Sequence, residues 1–243
     1  MPLGHREFVL VEYTARIKET GELVETTDPE EAKRSGKYEE DREYGPVLVV
    51  IGEGRMVRGF EEELTNMNEG EEKTFTVPPE KAFGLRDPNK IRVIPLREFK
   101  RSNVEVAPGK VVSIGGVPAV IRDISGGRVT VDFNHPLAGK SIEYRTKIVK
   151  RLLDDEEKIK YLLKRRFRPK NLEGFALKLD KESGVVEVTI PREEQGSPDI
   201  QLAKRALARD VFKYFEWAKK IVYVEILEKE QEPSNSRGAA SGA

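Results

Sequence analysis

The chain has 243 residues, the length of one large domain or of two or three small ones, and 37% of them are apolar, enough for packed cores. Charged residues make up 35%, but 43 basic residues balance 43 acidic ones, so the composition implies no general electrostatic preference for nucleic acid. The absence of cysteine excludes disulfides, thiolate metal sites and thiol nucleophiles.

The N-terminal stretch MPLGHREFVLVEYTARI lacks the basic region and long apolar core of a signal peptide. Along the whole chain, no apolar run approaches the roughly 20 residues needed to span a bilayer. We therefore expect a cytoplasmic protein that does not interact with a membrane.

The first elements form a strand pair followed by a short helix. Phe8 to Ile17 is rich in β-branched and aromatic residues and predicts a strand, and LVETT predicts the next strand after a turn at Gly21. Asp28 as N-cap, Pro29 at the first helical position and Gly36 as a stop predict a short helix within a long excursion.

An interrupted sheet is predicted next. VLVVIG and EKTFTVPP predict strands on either side of a helix from Phe60 to Met67, which ends near Gly70. Residues 88–137 contain short Val- and Ile-rich runs separated by paired glycines, which predicts a small all-β unit. The stretch SIEYRTKIVKRLL then predicts a strand that completes the first sheet.

The C-terminal part has a different pattern. DDEEKIKYLLKRRF predicts an amphipathic helix with acidic residues first and basic residues last, as the helix dipole favours. NLEGFALKLD, GVVEVTIP and IVYVEILEKE predict strands, and a second helix is expected in SPDIQLAKRALARDVFKYFEWAKK, with Ser197 as N-cap and Pro198 after it. The last residues are small and polar, which predicts a disordered tail.

Phe60 stands at the start of its predicted helix. Leu64 and Met67 follow four and seven positions later, so the three side chains share one helical face. From periodicity alone, Phe60 simply packs under the sheet.

The stretches YTARIKETGELVE, GPVLVVIGEGRMVRGFEEEL, GEEKTFTVPPEKAFG and KSIEYRTKIV occur in this order, and together they resemble the FKBP-type peptidyl-prolyl isomerases. The resemblance covers residues 7–87 and 138–150. The inserted unit, closed by NHPLAGK, resembles the insert-in-flap domain of the SlyD-like and archaeal branch. The implied fold is α+β, with a bent antiparallel sheet wrapped over the helix that begins at Phe60.

The predicted domains follow from this resemblance and from the C-terminal pattern. They are an isomerase domain (1–87 and 138–153), an inserted all-β chaperone domain (88–137), a C-terminal α+β domain (154–230) and a disordered tail (231–243).

In this family the aromatic residue at the helix start is the floor of an apolar pocket for proline. Tryptophan is usual there, whereas this chain has Phe60. By resemblance, the other residues assigned to the catalytic pocket are Tyr13, Glu25, Val57, Phe83 and Tyr144. The residues expected to contact substrate around them are Val24, Val47, Met56 and Leu137.

Several of these positions depart from the family pattern. Val24 and Val47 replace phenylalanines of many members, so those walls are smaller, and Phe83 replaces a common tyrosine and lacks its hydroxyl. The resemblance makes the Val57 backbone N–H the candidate anchor for a substrate carbonyl. Glu25 stands where aspartate is usual; it either shapes the pocket and holds Tyr13, or is an ordinary acid at a strand end.

The resemblance implies that the inserted unit captures unfolded chains and passes them to the pocket. A domain of about 50 residues buries only part of its apolar side chains, and an exposed apolar patch marks a binding surface. The candidates for the client-facing group are Ile91, Val93, Ile94, Phe99 and Val117. Most of the insert's apolar residues form its own core.

Neither a metal ion nor another cofactor is expected. His135 is a lone histidine, which is more often a hydrogen-bonding turn residue than a ligand, and His5 near the terminus has no partner at ligand spacing. The chain also lacks the His- and Cys-rich tail of some SlyD-like proteins.

The basic stretch Lys158–Lys170 allows an RNA or ribosome contact, but a charged helix end with a solvated face is the interpretation we favour. The aromatics of the second C-terminal helix, Phe212, Tyr214, Phe215 and Trp217, suggest internal packing, or a dimer or client surface. The oligomeric state stays open.

The predicted function is a peptidyl-prolyl cis/trans isomerase with chaperone activity on unfolded or nascent polypeptides that contain proline. The alternative is a holdase chaperone or peptide-binding module whose weakened pocket contributes little turnover.

Overall fold

The structure is a computed structural model that describes residues 3–168 and 172–227. The chain divides into two compact units, Met1–Leu152 and Leu153–Ala243. The first unit carries antiparallel sheets and short helices, and the second carries helices with a mixed sheet. The predicted α+β fold class is therefore confirmed. The predicted tail, 231–243, lies outside the described residues.

The strands of the first unit alternate with short helices. In chain order the strands are β1 (Phe8–Ile17), β2 (Leu23–Thr26), β3 (Val47–Val50), β4 (Glu72–Val77), β5 (Ile91–Pro95), β6 (Val111–Ile114), β7 (Val117–Ser125), β8 (Arg128–Asp132) and β9 (Ile142–Leu152). The helices are α1 (Pro29–Arg34), α2 (Arg58–Thr65) and α3 (Leu96–Arg101). Asp28 caps α1 as predicted, since its side chain accepts from the Glu30 and Glu31 N–H groups.

The first sheet of this unit is antiparallel and has the order β2-β1-β9-β4, with β3 also paired to β1. Strand β9 follows the insert in sequence and lies between β1 and β4, so it completes the sheet as predicted. Its register places Tyr144 opposite Ala15 of β1 and opposite Phe75 of β4. Directly opposed residues point to the same face, so these three side chains are neighbours.

Helix α2 packs against this sheet at close range. The helix begins at Arg58 rather than at Phe60. A Cβ atom at Gly59 would come within 2.4 Å of the Val77 Cγ1 atom on β4. Glycine is therefore required for α2 to lie this close to β4. Phe60, Leu64 and Met67 are fully buried under the sheet, as their spacing predicts.

Residues of the insert form a second antiparallel sheet with the order β5-β8-β7-β6. The expectation of an all-β unit is wrong in one respect, because α3 interrupts the strands directly after β5. Phe99 on α3 is buried against Ile121, Val129 and Val131. A six-residue helix with one core side chain carries too little periodicity to be distinguished from a loop in sequence.

The second unit combines helices with a three-stranded sheet. Its elements are α4 (Asp155–Phe167), β10 (Ala176–Asp180), β11 (Val185–Ile190), α5 (Arg192–Gln195), α6 (Ile200–Tyr214) and β12 (Lys220–Glu225). Strand β11 pairs antiparallel with β10 and parallel with β12.

The prediction of α6 is wrong at both ends. Its N-cap is Asp199 rather than Ser197, because the Ser197 carbonyl accepts from the Ile200 N–H and closes a turn before the helix. The helix ends before Phe215, which is extended, so Trp217 follows the helix and its indole N–H binds Asp155.

The basic stretch at the end of α4 is only partly solvated, in contrast to the sequence interpretation. Asp210 on α6 is buried, and its Oδ2 atom accepts from Arg165 at 3.1 Å and from Arg166 at 2.7 Å. Burial raises the pKa of Asp210, but the hydrogen bonds and the charges of both arginines lower this pKa by more, so the net shift is downward. These two arginines therefore tie α4 to α6.

Candidate functional site

Four aromatic rings meet on the core-facing side of the first sheet. Tyr13 comes from β1, Phe60 from α2, Phe75 from β4 and Tyr144 from β9. The centroid of the Phe60 ring lies 4.7 Å from that of Tyr144 and 5.5 Å from that of Tyr13, and the two tyrosine rings are 6.2 Å apart. Three of the predicted pocket residues from separated segments therefore lie in one cluster.

Phe75 belongs to this cluster and was not predicted. Its ring centroid lies 5.9 Å from that of Phe60 and 5.8 Å from that of Tyr144. The alternation in EKTFTVPP carries the signal, because it places Phe75 and Val77 on the same face of β4.

Half-buried side chains surround the rings. The predicted substrate-contacting residues Val24, Val47, Met56 and Leu137 all pack against the buried core that contains the rings, together with Val57 and Phe83. Ala82 joins them and was not predicted. These side chains, which we call the apolar rim, are partly exposed, whereas the four rings are almost fully buried.

Phe83 and His135 form one wall of this rim. Their rings stack nearly parallel, with an interplanar angle of 4° and a centroid separation of 4.6 Å. The Nδ1 atom of His135 accepts from the Leu137 N–H at 3.1 Å, and the His135 backbone carbonyl accepts from the Ala138 N–H at 2.9 Å. The predicted role of His135 as a hydrogen-bonding turn residue is confirmed, and its contact with Phe83 is additional.

Glu25 and Arg42 lie beside the Tyr13 phenol. The Glu25 carboxylate accepts from Arg42 Nη2 at 2.8 Å. Burial raises the pKa of Tyr13, and the charge of Glu25 and a hydrogen bond to it raise this pKa further. The Glu25 carboxylate thus pairs with Arg42, and its charge acts on the Tyr13 phenol. Arg42 was missed, because it lies in the excursion between β2 and β3, for which the sequence predicts no contact.

The two phenol rings of the pocket carry no charge near neutral pH. Burial, and secondly the charge of Glu25, raise the pKa of Tyr144 to about 12. The pKa of Tyr13 is raised as well, so both phenols remain protonated. The floor is therefore lined by neutral rings.

The loop before α2 presents a backbone donor at the edge of the rings. Val57 is the N-cap residue, and its carbonyl accepts from the Phe60 N–H at 3.0 Å. None of the described residues accepts a hydrogen bond from the Val57 N–H. The Glu61 carboxylate holds the preceding loop through the Gly52 and Gly54 N–H groups, at 3.0 and 3.1 Å.

The five candidates for client contact in the insert have different environments. Val93 is 59% exposed and Val117 is 50% exposed, whereas Ile91 and Ile94 are half-buried. Phe99 is buried in the insert's core, so in this conformation its ring cannot face a client.

The strand register assigns these side chains to the two faces of the insert sheet. Ile94 lies opposite the buried Val129 and faces the core, whereas Ile91 and Val93 lie opposite Asp132 and Thr130 on the other face. Val120 lies opposite both Asp132 and Val111, so these residues share that other face. Val111 is 62% exposed and was not predicted. We call Ile91, Val93, Val111 and Val120 the outer face of the insert.

Between residues 3 and 227, leaving out 169–171, no group of three or more His, Asp or Glu side chains is placed to hold a metal ion. Over the same residues, no helix is long and apolar enough to cross a membrane.

Three family models match successive parts of the chain. Residues 4–98 match the model described as "FKBP-type peptidyl-prolyl cis-trans isomerase". Residues 92–137 match "FKBP26, IF domain", and residues 155–228 match "FKBP26_C-terminal". The insert and the C-terminal part are thus both similar to domains of one multidomain family.

Curated relatives agree with these matches. The chain is 39% identical over 142 residues to the short-type peptidyl-prolyl cis-trans isomerase of Methanocaldococcus jannaschii, over 58% of this chain and 89% of that protein. It is 31% identical over 146 residues to the FKBP-type 16 kDa peptidyl-prolyl cis-trans isomerase of Escherichia coli, over 58% and 88%. It is 30% identical over 162 residues to the FKBP-type peptidyl-prolyl cis-trans isomerase SlyD of Treponema pallidum, over 64% and 83%.

Proposed function

Because this chain belongs to the FKBP-type peptidyl-prolyl cis-trans isomerases, we propose that its insert captures unfolded or nascent polypeptides and that its aromatic pocket isomerises their X–Pro bonds. The observation that carries the proposal is the meeting of Tyr13, Phe60 and Tyr144 beneath a half-buried apolar rim. A proline ring is apolar and of a size to rest on such a floor.

The pocket lowers the barrier by its lack of polarity. The X–Pro bond has partial double-bond character and an uncatalysed barrier of ~18–20 kcal/mol. Resonance moves charge from nitrogen to oxygen in the planar form, and rotation removes this resonance, so the transition state is less polar than the ground state. A pocket of neutral rings excludes the water that stabilises the planar form. Each tenfold acceleration needs about 1.4 kcal/mol of such differential stabilisation.

The Val57 N–H anchors the substrate in this proposal. A carbonyl next to the proline accepts a hydrogen bond from Val57, while the proline ring rests on Phe60. One side of the rotating bond is then fixed and the other is free to turn. No nucleophile and no strong acid take part, since the peptide bond rotates and is not broken.

The outer face of the insert supplies the capture surface. Val93 and Val111 are exposed on it, and Ile91 and Val120 are half-buried beside them. Strands β5 and β6 are the outermost strands of this sheet, and an extended client can pair with such an edge through its backbone. Apolar contacts and backbone pairing are independent of client sequence, as capture of unfolded chains requires.

The experiment compares two substrates of the full chain. A proline-containing tetrapeptide reports on the pocket alone, and a protein whose refolding is limited by proline isomerisation reports on pocket and insert together. We expect kcat/KM to be at least about tenfold higher for the protein, since capture adds binding energy. A permanently unfolded protein should compete with the refolding substrate at lower concentration than with the tetrapeptide.

Two outcomes would contradict the proposal. Equal kcat/KM values for both substrates would remove the capture role of the insert. Suppressed aggregation without acceleration of either substrate would instead indicate the holdase function.

A further inference from the structure

Asp132, the last residue of β8, is a buried carboxylate where the chain leaves the insert. Its side chain is 1% exposed. The Oδ2 atom accepts from Arg122 Nε at 3.0 Å and forms an ion pair with Arg86. The Oδ1 atom accepts from the Asn134 backbone N–H at 3.0 Å and from its Nδ2 atom at 2.8 Å. Both oxygens are thus fully used.

Asn134 joins the chain that leaves the insert to the chain that enters it. Its Oδ1 atom accepts from the Asp87 N–H at 2.9 Å, and its Nδ2 atom donates to the Asp87 carbonyl at 2.9 Å. The side-chain amide thereby pairs with the backbone of Asp87 as a neighbouring strand would. We call Arg86, Asp87, Arg122, Asp132 and Asn134 the junction clamp.

The junction clamp lies next to the pocket wall in sequence and in space. Phe83 stands three residues before Arg86, and His135 directly follows Asn134; these two rings form the stacked wall of the pocket rim. The segments that follow these two rings are also linked, because the Gly139 N–H donates to the Gly84 carbonyl at 2.8 Å. The wall is held by its own ring stacking and by this hydrogen bond, so a change in the path of either linker would alter the orientation of the insert relative to the wall.

The clamp is also continuous with the outer face of the insert. Ile91 of β5 and Val120 of β7 lie directly opposite Asp132, and Val111 of β6 lies opposite Val120. One cross-strand row thus runs from the clamp carboxylate to an exposed client-facing valine. The same buried group touches the elements that bear both sites.

The hydrogen bonds and ion pairs of the clamp are suited to fixing the orientation of the two linkers. Burial raises the pKa of Asp132, but hydrogen bonds from Asn134 and Arg122 and the charge of Arg86 lower it, and the net shift is downward. The carboxylate is therefore ionised, and loss of any partner removes a hydrogen bond or an ion pair from a buried charge. Hydrogen bonds constrain angles, whereas apolar packing at the same place would allow the linkers to slide.

We propose that the junction clamp is a positioning device that holds the insert's outer face and the Phe83–His135 wall in one geometry, so that a captured chain reaches the pocket. Asp132 and Asn134 are then positioning residues for catalysis on protein substrates. This inference rests on the proposed function.

The test replaces Asn134 and compares both substrates. Asn134→Ala removes the two hydrogen bonds to Asp87 and the one from Nδ2 to Asp132. We expect kcat on the refolding protein to fall by about fivefold to tenfold, with KM and the affinity for a permanently unfolded protein unchanged, and tetrapeptide kcat/KM to change less than about twofold. Asn89→Ala, an exposed asparagine in the same linker, is the matched control and should leave every value unchanged.

A distance measurement separates positioning from stability. The chain has no cysteine, so spin labels at Glu12→Cys and Ser125→Cys report only the distance from the first sheet to the insert. This distribution should be narrow with the intact clamp and clearly broader in Asn134→Ala. Equal widths, or an unchanged ratio of protein to peptide turnover, would overturn the inference.

A second variant avoids the risk of misfolding. The Arg86 side chain is 45% exposed, so Arg86→Lys is expected to fold, and it should lower protein turnover about twofold to threefold in the same direction. If the wild type does not prefer the protein over the peptide, the proposed function fails. If the wild type has this preference and both variants retain it, the clamp inference alone fails.

Discussion

The pocket and the insert differ in how far their apolar side chains are exposed to solvent. Tyr13, Phe60 and Tyr144 are buried in the pocket, whereas Val93 and Val111 of the insert are exposed to solvent. A site that favours a less polar transition state must exclude water before the substrate arrives. A site that captures any unfolded chain must instead keep its apolar surface accessible. In the proposed function, the two regions divide catalysis and capture between them.

The difference has a simple structural origin. Helix α2 covers the core-facing side of the first sheet, and Gly59 allows it to lie against Val77 of β4. In the insert, α3 and the irregular segments cover one face of the sheet, and a unit of about 50 residues has no further element to cover the other. An antiparallel sheet tolerates one solvated face, so the outer face remains open.

The largest effect is expected when one buried phenylalanine in each region is replaced by leucine. Phe60→Leu keeps an apolar side chain but removes the flat floor, so tetrapeptide kcat/KM should fall by at least about tenfold, equivalent to about 1.4 kcal/mol. Phe99→Leu makes the same replacement in the insert's core and should leave tetrapeptide turnover unchanged. A coupled peptide assay measures both.

Stability provides the control for this pair. Each variant should lose about 1–2 kcal/mol in urea denaturation, because each replaces a buried ring by a smaller side chain. If both variants lost peptide turnover equally, general destabilisation would explain the result, and the pocket would not be set apart from the insert.

A smaller effect is expected from the exposed valines. Val93→Thr with Val111→Thr keeps shape and β propensity but replaces a methyl group by a hydroxyl at each position. Turnover of the refolding protein should fall about threefold to fivefold through a higher KM, with the tetrapeptide unaffected. Leu202→Thr, at a position 66% exposed in the second unit, is the control. An equal loss in that control would contradict a specific role for the outer face.

The motifs were sufficient to predict the floor of the pocket but not all of its neighbours. Tyr13, Phe60 and Tyr144 lie within motifs that share a strict order along the chain, and the structure brings them together. Arg42 could not be predicted, because its contact with Glu25 depends on the path of an irregular excursion. Irregular backbone has no periodicity from which a side-chain direction can be read.

In the insert, the sequence identified apolar residues but not the faces on which they lie. Phe99 and Val93 are equally apolar, yet α3 carries Phe99 into the core and β5 carries Val93 to the outer face. Val111 and Val112 are adjacent, and only the register with β7 decides which is exposed. A shift of one residue reverses the faces of a strand, so composition alone cannot assign them.

The smallest effect on turnover near neutral pH is expected from Tyr144→Phe. At high pH, the same variant tests whether the pocket, unlike the insert, loses stability through a buried phenol. Removal of the hydroxyl keeps the ring, so tetrapeptide kcat/KM at pH 7 should change by less than about twofold. The pKa of Tyr144 is raised to about 12 in the folded protein, against an ordinary value of 10.0. Between these values the unfolded chain loses this proton first, so stability is present below pH 10 and is lost as the pH rises toward 12.

The insert, residues 88–137, contains no tyrosine and does not share this source of alkaline instability. From pH 8 to pH 11, the wild type should lose about 1.4 kcal/mol more stability than Tyr144→Phe in urea denaturation. Phe99→Leu is the reference from the insert, and its difference from the wild type should be the same at both pH values. If Tyr144→Phe lost as much stability as the wild type over this range, the buried phenol would not be the cause.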